Sequence, residues 1–172
     1  MVKYILVILV MISFSMYSQN KKIDGFLGIK WRSSKKVVED YMKNREGVYV
    51  LKSSKDEITF SGGEFGSYKV SDWNFEFYNN KFCVVTINFV TLKNHKILYN
   101  YIFDKLMEKY FAPKESFDKN GIYTDWYFYN GDKLVYLIRM VTSAPDVSLI
   151  YCDVEMTLEK RANEKEKSNK DF

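Results

Sequence analysis

The stretch that decides the fold is Asp72-Trp73-Asn74-Phe75-Glu76-Phe77-Tyr78-Asn79-Asn80-Lys81-Phe82-Cys83-Val84-Val85-Thr86-Ile87-Asn88-Phe89. Aromatic and β-branched residues alternate in it with polar ones, which is the pattern of strands with one buried face. Asn79-Asn80 interrupts the alternation, and asparagine tolerates the positive φ that a two-residue hairpin turn requires. The stretch therefore predicts an antiparallel β-hairpin.

A similar phrase occurs further along the chain. Residues 125–134 read Asp-Trp-Tyr-Phe-Tyr-Asn-Gly-Asp-Lys-Leu, so both phrases give Asp-Trp, an aromatic strand, a turn and a second apolar strand. An internal repeat explains this likeness, and chance similarity between two aromatic hairpins is the alternative. Asp72 and Asp125 are interpreted as residues that close turns, because aspartate before a strand commonly bonds nearby backbone N–H groups.

One amphipathic helix precedes each phrase. The first follows Ser33-Ser34, ends by Gly47 and has apolar residues at Val37, Val38, Tyr41 and Met42. The second lies between the cap Asn94 and Ala112, which precedes the helix-breaking Pro113. Its predicted buried stripe consists of Ile97, Leu98, Tyr101, Ile102 and Leu106.

These elements predict an α+β fold of two tandem helix-plus-antiparallel-sheet halves, with the helices packed on one sheet face. The halves span about 25–91 and 92–158 within one domain, 19–158. The last strand is predicted over 147–158. The charged segment 159–172 predicts a disordered tail.

The N-terminal segment predicts export. Lys3 precedes the apolar run Ile5-Leu6-Val7-Ile8-Leu9-Val10-Met11-Ile12, which is too short to span a bilayer. We expect a signal peptide over 1–18, cleaved between Ser18 and Gln19. The mature chain is then periplasmic or extracellular and has no membrane span.

Three features together indicate a resemblance to a known family. They are the order of a helix followed by strands, which occurs twice, the export signal, and Gly25-Phe26-Leu27-Gly28-Ile29 before a serine-capped helix. The chain resembles the tandem α/β modules of β-lactamase inhibitor proteins and related small bacterial envelope proteins. That resemblance implies a binding surface on an antiparallel sheet, but no inhibitory target. The chain departs from the family in having one cysteine per half, where inhibitors have a disulfide in each repeat, and in lacking a lipidated cysteine.

Composition limits the chemistry available. The 26 basic and 22 acidic residues give a net charge of +4, too mild to indicate nucleic acid as a partner. His95, the single histidine, is predicted at an exposed helix start. One histidine and two cysteines do not predict a metal cage or a Cys-His nucleophile. No cofactor or metal is expected.

Cys83 and Cys152 are predicted to point into the core, because each alternates with apolar neighbours on its strand. An oxidising compartment permits a disulfide between them. A disulfide and two buried thiols both stay open, since sequence does not show whether the residues touch.

Alternation also predicts which side chains share the other sheet face. If Trp126, Ile138 and Cys152 face the helices, the opposite face is unusually aromatic for a surface in water. An apolar patch with a polar rim indicates a protein-binding site. The candidate residues are Tyr127, Tyr129, Leu137, Arg139, Leu149, Tyr151 and Asp153. The alternative is that another strand, a loop or the first half covers this face.

A second candidate is an anion site at the start of the first helix, where free N–H groups meet basic side chains. Its residues are Lys30, Arg32, Ser33, Ser34, Lys35 and Lys36, and an ordinary solvated basic patch is the alternative.

Together these features favour a non-catalytic binding module of the bacterial envelope, whose partner is another envelope or extracellular protein. A secreted hydrolase using serine or carboxylates stays open, and it requires a deep polar pocket. A carrier of lipid or another apolar ligand also stays open, and it requires an under-filled interior.

Overall fold

The computed structural model describes residues 23–90, 95–110, 113–118, 121–143 and 146–170. The expected signal peptide, the expected cap Asn94 and Ala112 lie outside these ranges. The described part is an α+β structure dominated by an antiparallel sheet, which confirms the predicted α+β class. No helix in these ranges is both long and apolar enough to cross a membrane.

The elements follow one another in a simple order. They are β1 (Gly25–Phe26), β2 (Ile29–Lys30), α1 (Lys35–Lys43), β3 (Val48–Ser53), β4 (Glu57–Gly62), β5 (Glu64–Phe65), β6 (Tyr68–Tyr78), β7 (Lys81–Phe89), α2 (His95–Lys109), β8 (Lys114–Asp118), β9 (Gly121–Asn130), β10 (Lys133–Ser143), β11 (Asp146–Asp153) and α3 (Val154–Lys170).

The large sheet has the strand order β3-β4-β6-β7-β11-β10-β9-β8, with β5 paired to β6. The strands before α2 lie on one side and those after it on the other, and β7 pairs with β11 where the two groups meet. The first Asp-Trp hairpin consists of β7, which lies at this junction, and β6, the next strand outward. The second hairpin consists of β10 and β9, which are separated from the junction by β11. The two phrases therefore do not occupy equivalent places in the sheet.

The hairpin between β6 and β7 forms as predicted. Asn79 and Asn80 have φ of 49° and 58°, the left-handed conformation of a tight primed turn. Phe77 pairs with Phe82 and Glu76 with Val84, which leaves Cys83 as an extra residue in a β-bulge. This bulge directs Cys83 and Val84 to the same face of the sheet, away from Phe82.

The main core lies between one sheet face and helices α1 and α2. Trp73, Phe75 and Trp126 are among its fully buried side chains. The helical stripes are narrower than predicted. Val38 and Met42 of α1 are buried, as are Leu98, Ile102 and Leu106 of α2, whereas Val37, Tyr41 and Ile97 are exposed.

The C-terminal predictions are wrong in two respects. Strand β11 ends at Asp153, and the segment predicted as strand end and disordered tail forms α3 up to Lys170. The Asp153 carboxylate starts the helix by accepting a hydrogen bond from the Met156 backbone N–H at 3.2 Å. Lys160 ties the helix to Glu76 at 2.6 Å. Because Glu76 points away from the main core, α3 packs on the sheet face opposite α1 and α2.

Candidate binding face

The sheet surface opposite the main core, which we call the outer face, is covered by α3 at one end only. Under α3 lies a small apolar cluster of Cys83, Val84, Cys152 and Met156. The remainder of this face consists of mostly polar side chains in cross-strand register, all of them half-buried except the buried Asp125. We call it the open face, and its residues are Asp72, Asn74, Thr86, Asn88, Tyr123, Asp125, Tyr127, Arg139, Val141, Ser148 and Ile150.

An arginine held by a buried aspartate dominates one side of the open face. Arg139 of β10 lies directly opposite Asp125 of β9. Its Nε and Nη2 atoms each donate to Asp125 at 2.8 Å. Asp125 is 2% exposed and the arginine side chain 37%. The guanidinium is therefore fixed by two parallel hydrogen bonds and still reaches solvent.

Two tyrosines flank this pair. The Tyr127 hydroxyl donates to Asp125 at 2.8 Å, and the Arg139 guanidinium carbon lies 5.3 Å from the centre of the Tyr123 ring. The hydrogen bonds to Asp125 raise the pKa values of both Arg139 and Tyr127. Both groups hold their protons more tightly than they would in water, and the cluster presents a fixed cation beside the Tyr123 ring.

A polar chain crosses the centre of the sheet on the other side of the open face. Asn88 donates to Asp72 at 2.7 Å, and the Ser148 hydroxyl donates to Asn88 at 2.7 Å. These residues line a surface cleft of about 540 Å³ together with Asp146. The buried Oδ1 atom of Asn74 has no hydrogen-bond partner within the described ranges. This strip can both donate and accept hydrogen bonds.

Sequence reasoning missed this polar chain, although its signal was present. Asp72, Asn74, Thr86 and Asn88 occupy the polar positions of the hairpin that decides the fold. Their alternation predicts that they face away from the core, but the contacts among Asp72, Asn88 and Ser148 depend on the registers of β7 with β6 and β11.

Only some of the predicted binding-face residues lie where expected. Tyr127, Leu137 and Arg139 are on the outer face, with Leu137 packed against the cluster under α3. Tyr129 is exposed near the end of its hairpin.

The prediction for β11 is wrong because its alternation is inverted. Ile138 pairs with both Tyr151 and Trp126, so Tyr151 lies on the core side, where it is 6% exposed. Leu149 is buried on the same side, while Cys152 points to the outer face instead of the main core. Leu149 and Tyr151 therefore do not belong to the binding face.

Asp153 has a structural position rather than a place on the binding face. It is 1% exposed, caps α3 and accepts a hydrogen bond from Arg32 Nε at 3.0 Å. Arg32 also reaches Glu155 at 2.7 Å, and Lys133 reaches the same carboxylate at 2.5 Å. These ion pairs tie the start of α3 to Arg32 in the segment before α1 and to Lys133 at the start of β10.

Cys83 and Cys152 are free, buried thiols in the cluster under α3. Cys83 is a bulge neighbour of Val84, and Val84 pairs directly with Cys152 across β7 and β11. Burial raises the pKa of Cys83 to about 12. Reactivity requires the thiolate, so this thiol is protected while α3 stays in place.

The basic residues around the start of α1 do not converge on an anion site. Arg32 turns to Asp153 and Glu155, Lys36 pairs with Asp40 at 2.9 Å, and the Lys35 ammonium donates to the Ser54 carbonyl. The Lys35 backbone N–H donates to the Asn80 side chain at 3.1 Å. Ser33 and Ser34 make backbone contacts with Phe82 and Lys81 at the start of β7. Lys30 is exposed.

We also considered a second cleft, possible metal ligands and His95 as candidate sites. A cleft of about 760 Å³ is lined by Arg45, Lys69, two glutamates and three glycines. Within the described ranges, no three His, Cys, Asp or Glu side chains converge as a metal site. His95 is half-buried at the first residue of α2.

Comparisons with known proteins give no match from which a function could be inferred. No family model matches the chain, and no curated protein or solved structure matches it either.

Proposed function

We propose that this chain is a non-catalytic binding module and that its site is the open face of the sheet. The observation that carries the proposal is Arg139, which is held by Asp125 and flanked by Tyr123 and Tyr127 at a solvent-accessible position. Arginine and tyrosine are, with tryptophan, the residue types enriched among the residues that dominate the energetics of protein interfaces.

Preorganisation supports a binding role. The guanidinium loses little conformational freedom on association because Asp125 already fixes it in one orientation. Its remaining Nη1 group and the Tyr ring faces are the parts that can meet a partner. The adjoining strip of Asp72, Asn88 and Ser148 adds donors and acceptors that give directional specificity.

The partner that fits this description is another protein of the envelope or the extracellular space. The export-type sequence at 1–18 supports that location, since such a segment directs secretion. The mixed donors and acceptors, with aromatic rings among them, suit a folded protein surface better than an anionic polymer. We also propose that the chain consists of two halves. Their support is the strand order on either side of the β7–β11 junction, not the two Asp-Trp phrases.

Affinity capture from envelope extract tests this proposal. We expect the immobilised chain to recover a discrete partner, and Tyr127→Ala or Arg139→Lys to reduce the recovery at least about fivefold. Arg139→Lys keeps the charge but loses the planar, two-point contact with Asp125.

The matched control is Ile97→Ala, which removes an exposed apolar side chain from α2, on the opposite side of the sheet. Circular dichroism confirms that each variant is folded. Recovery that falls equally in the control, or that stays unchanged in both open-face variants, contradicts the proposal.

A further inference from the structure

Two thiols lie next to each other on the outer face, where β7 meets β11. Val84 pairs directly with Cys152, and the bulge places Cys83 beside Val84 on the same face. Cys83 is therefore one residue away from the position opposite Cys152. One strand spacing combined with a shift of one residue is roughly 6 Å, which lies within the Cα–Cα range of disulfides.

Each thiol is held by a different partner while α3 is docked. The Cys83 thiol donates to the Glu76 carbonyl at 3.4 Å, and Cys152 Sγ lies 3.2 Å from the Thr157 hydroxyl. Hydrogen bonds of a thiol are weak, so a change of side-chain rotamer is enough to turn either sulfur. Because Thr157 belongs to α3, movement of this helix also frees Cys152.

Helix α3 separates the two thiols from solvent. Both cysteines are buried, and they share one cluster with Met156 of the helix. Thiol–disulfide exchange requires a thiolate that touches the oxidant. Burial raises the pKa of Cys83 to about 12 and also raises the pKa of Cys152. The docked helix therefore blocks oxidation of both groups.

The attachment of α3 to the sheet is mostly ionic. Met156 is the one buried side chain among residues 154–169. Glu155, which is 40% exposed, pairs with Arg32 and Lys133, and Lys160 pairs with Glu76. Exposed ion pairs contribute little to stability and weaken as salt is added. An element with so little buried apolar surface opens at a lower free energy than the sheet beneath it.

We propose that α3 is a salt-sensitive cover over a pair of redox-active cysteines, and that its release lets Cys83 and Cys152 form a disulfide. The oxidant is a small organic disulfide. One cysteine thiolate attacks a sulfur of the oxidant, breaks its S–S bond and releases one thiolate. The second cysteine thiolate then attacks the cysteine sulfur of this mixed disulfide and releases the other half of the oxidant. Two electrons pass to the oxidant, and the two cysteine protons end on the two released thiols.

The new bond joins β7 to β11, the strands at which the groups before and after α2 meet. The export-type sequence at 1–18 supports an encounter with such an oxidant, because disulfides form and persist outside the reducing cytosol.

Oxidation of the reduced full chain by hydroxyethyl disulfide tests the proposal. This oxidant is uncharged, so salt does not change its attraction to the protein. Intact mass and peptide mapping should show an internal bond between Cys83 and Cys152. We expect the bond to form at least about threefold faster in about 1 M than in about 0.1 M sodium chloride.

Variants of the ion pairs test the role of α3. Glu155→Gln and Lys160→Met should each accelerate oxidation at low salt at least about twofold, because each removes an ion pair that holds the helix. Lys43→Met is the matched control. It removes an exposed ion pair with Glu39 on α1, on the other side of the sheet, and should leave the rate unchanged.

Cys152→Ser separates pairing from exposure. In this variant Cys83 should keep a stable mixed disulfide with the oxidant, which the wild-type chain resolves. Circular dichroism verifies that each variant is folded, and hydrogen exchange should show the amides of α3 opening while those of β7 stay protected.

Three results overturn the proposal. The first is a wild-type chain that stays reduced or carries stable mixed disulfides without the internal bond. The second is a rate that is the same in the folded Glu155→Gln and Lys160→Met variants and at both salt concentrations. The third is simultaneous exchange of the α3 and β7 amides, because the thiols would then become accessible only on unfolding of the sheet.

Discussion

The two Asp-Trp pairs have the same local sequence but different surroundings. In each pair the tryptophan is fully buried on the core side and the aspartate faces the outer side. The Trp73 indole N–H donates to the Gly62 carbonyl at 2.8 Å, whereas the Trp126 indole N–H has no partner within the described ranges. Asp72 accepts from Asn88, whereas Asp125 accepts from Arg139 and Tyr127.

This difference shows that the sequence alternation within a strand determines which sheet face a side chain lies on. The residues on the opposing strand determine which hydrogen bonds and ion pairs it forms. β7 places Asn88 opposite Asp72, while β10 places Arg139 opposite Asp125. One aspartate therefore joins a neutral polar chain, and the other holds a cation at the surface.

The largest difference in stability between the two Asp-Trp pairs is expected when each aspartate is removed. Asp125→Ala leaves the Arg139 charge without its acceptors, and we expect it to destabilise the fold by about 2 kcal/mol, reduced from the buried-pair range because the arginine is partly exposed. Asp72→Ala should cost less than about 1 kcal/mol, since Asn88 can turn to water. Urea unfolding measures both, and equal losses would refute the distinction.

Replacing each tryptophan by phenylalanine tests the difference between the two pairs on the core side of the sheet. Both variants lose similar volume, but Trp73→Phe also deprives the Gly62 carbonyl of its donor. We expect Trp73→Phe to be about 1 kcal/mol more destabilising than Trp126→Phe, which removes an N–H that has no acceptor among the described atoms. Thermal and urea unfolding of the pair give this difference directly. A larger loss in Trp126→Phe would reverse the interpretation.

The smallest effect concerns alkaline pH. Hydrogen bonding to Asp125 raises the pKa of Tyr127 above its ordinary value of 10.0, so the folded state holds this proton more tightly than the unfolded state. Its contribution to stability is therefore present below pH 10 and is lost as pH rises above it. Tyr127→Phe should lose less stability than the wild-type chain between about pH 9 and 11. An identical slope in both proteins would contradict the contact.

The sequence supported the elements whose signals are local. The Asn79-Asn80 turn follows from backbone preference, and the helical periods identify Val38, Met42, Leu98, Ile102 and Leu106 as core residues. The phase of β11 could not be read in this way. Val147, Leu149 and Tyr151 are apolar, but so are Ile150 and Cys152, because α3 covers part of the second face.

Helix α3 was missed for a related reason. Its sequence is rich in lysine and glutamate and lacks a clear apolar period, so composition alone indicates a solvated tail. The contacts that fix it are the Asp153 cap and the long-range pair of Lys160 with Glu76. The Asp125–Arg139 pair likewise depends on strand register, which no single segment encodes.

Site-specific photo-crosslinking in intact cells tests the central claim, that a partner docks on the open face, most directly. A photoreactive amino acid is placed at position 127 on the open face or at position 97 on α2. The account predicts one discrete adduct from position 127, weakened by Arg139→Lys, and none from position 97. The same adduct pattern from both positions, or an adduct from position 97 alone, would contradict it.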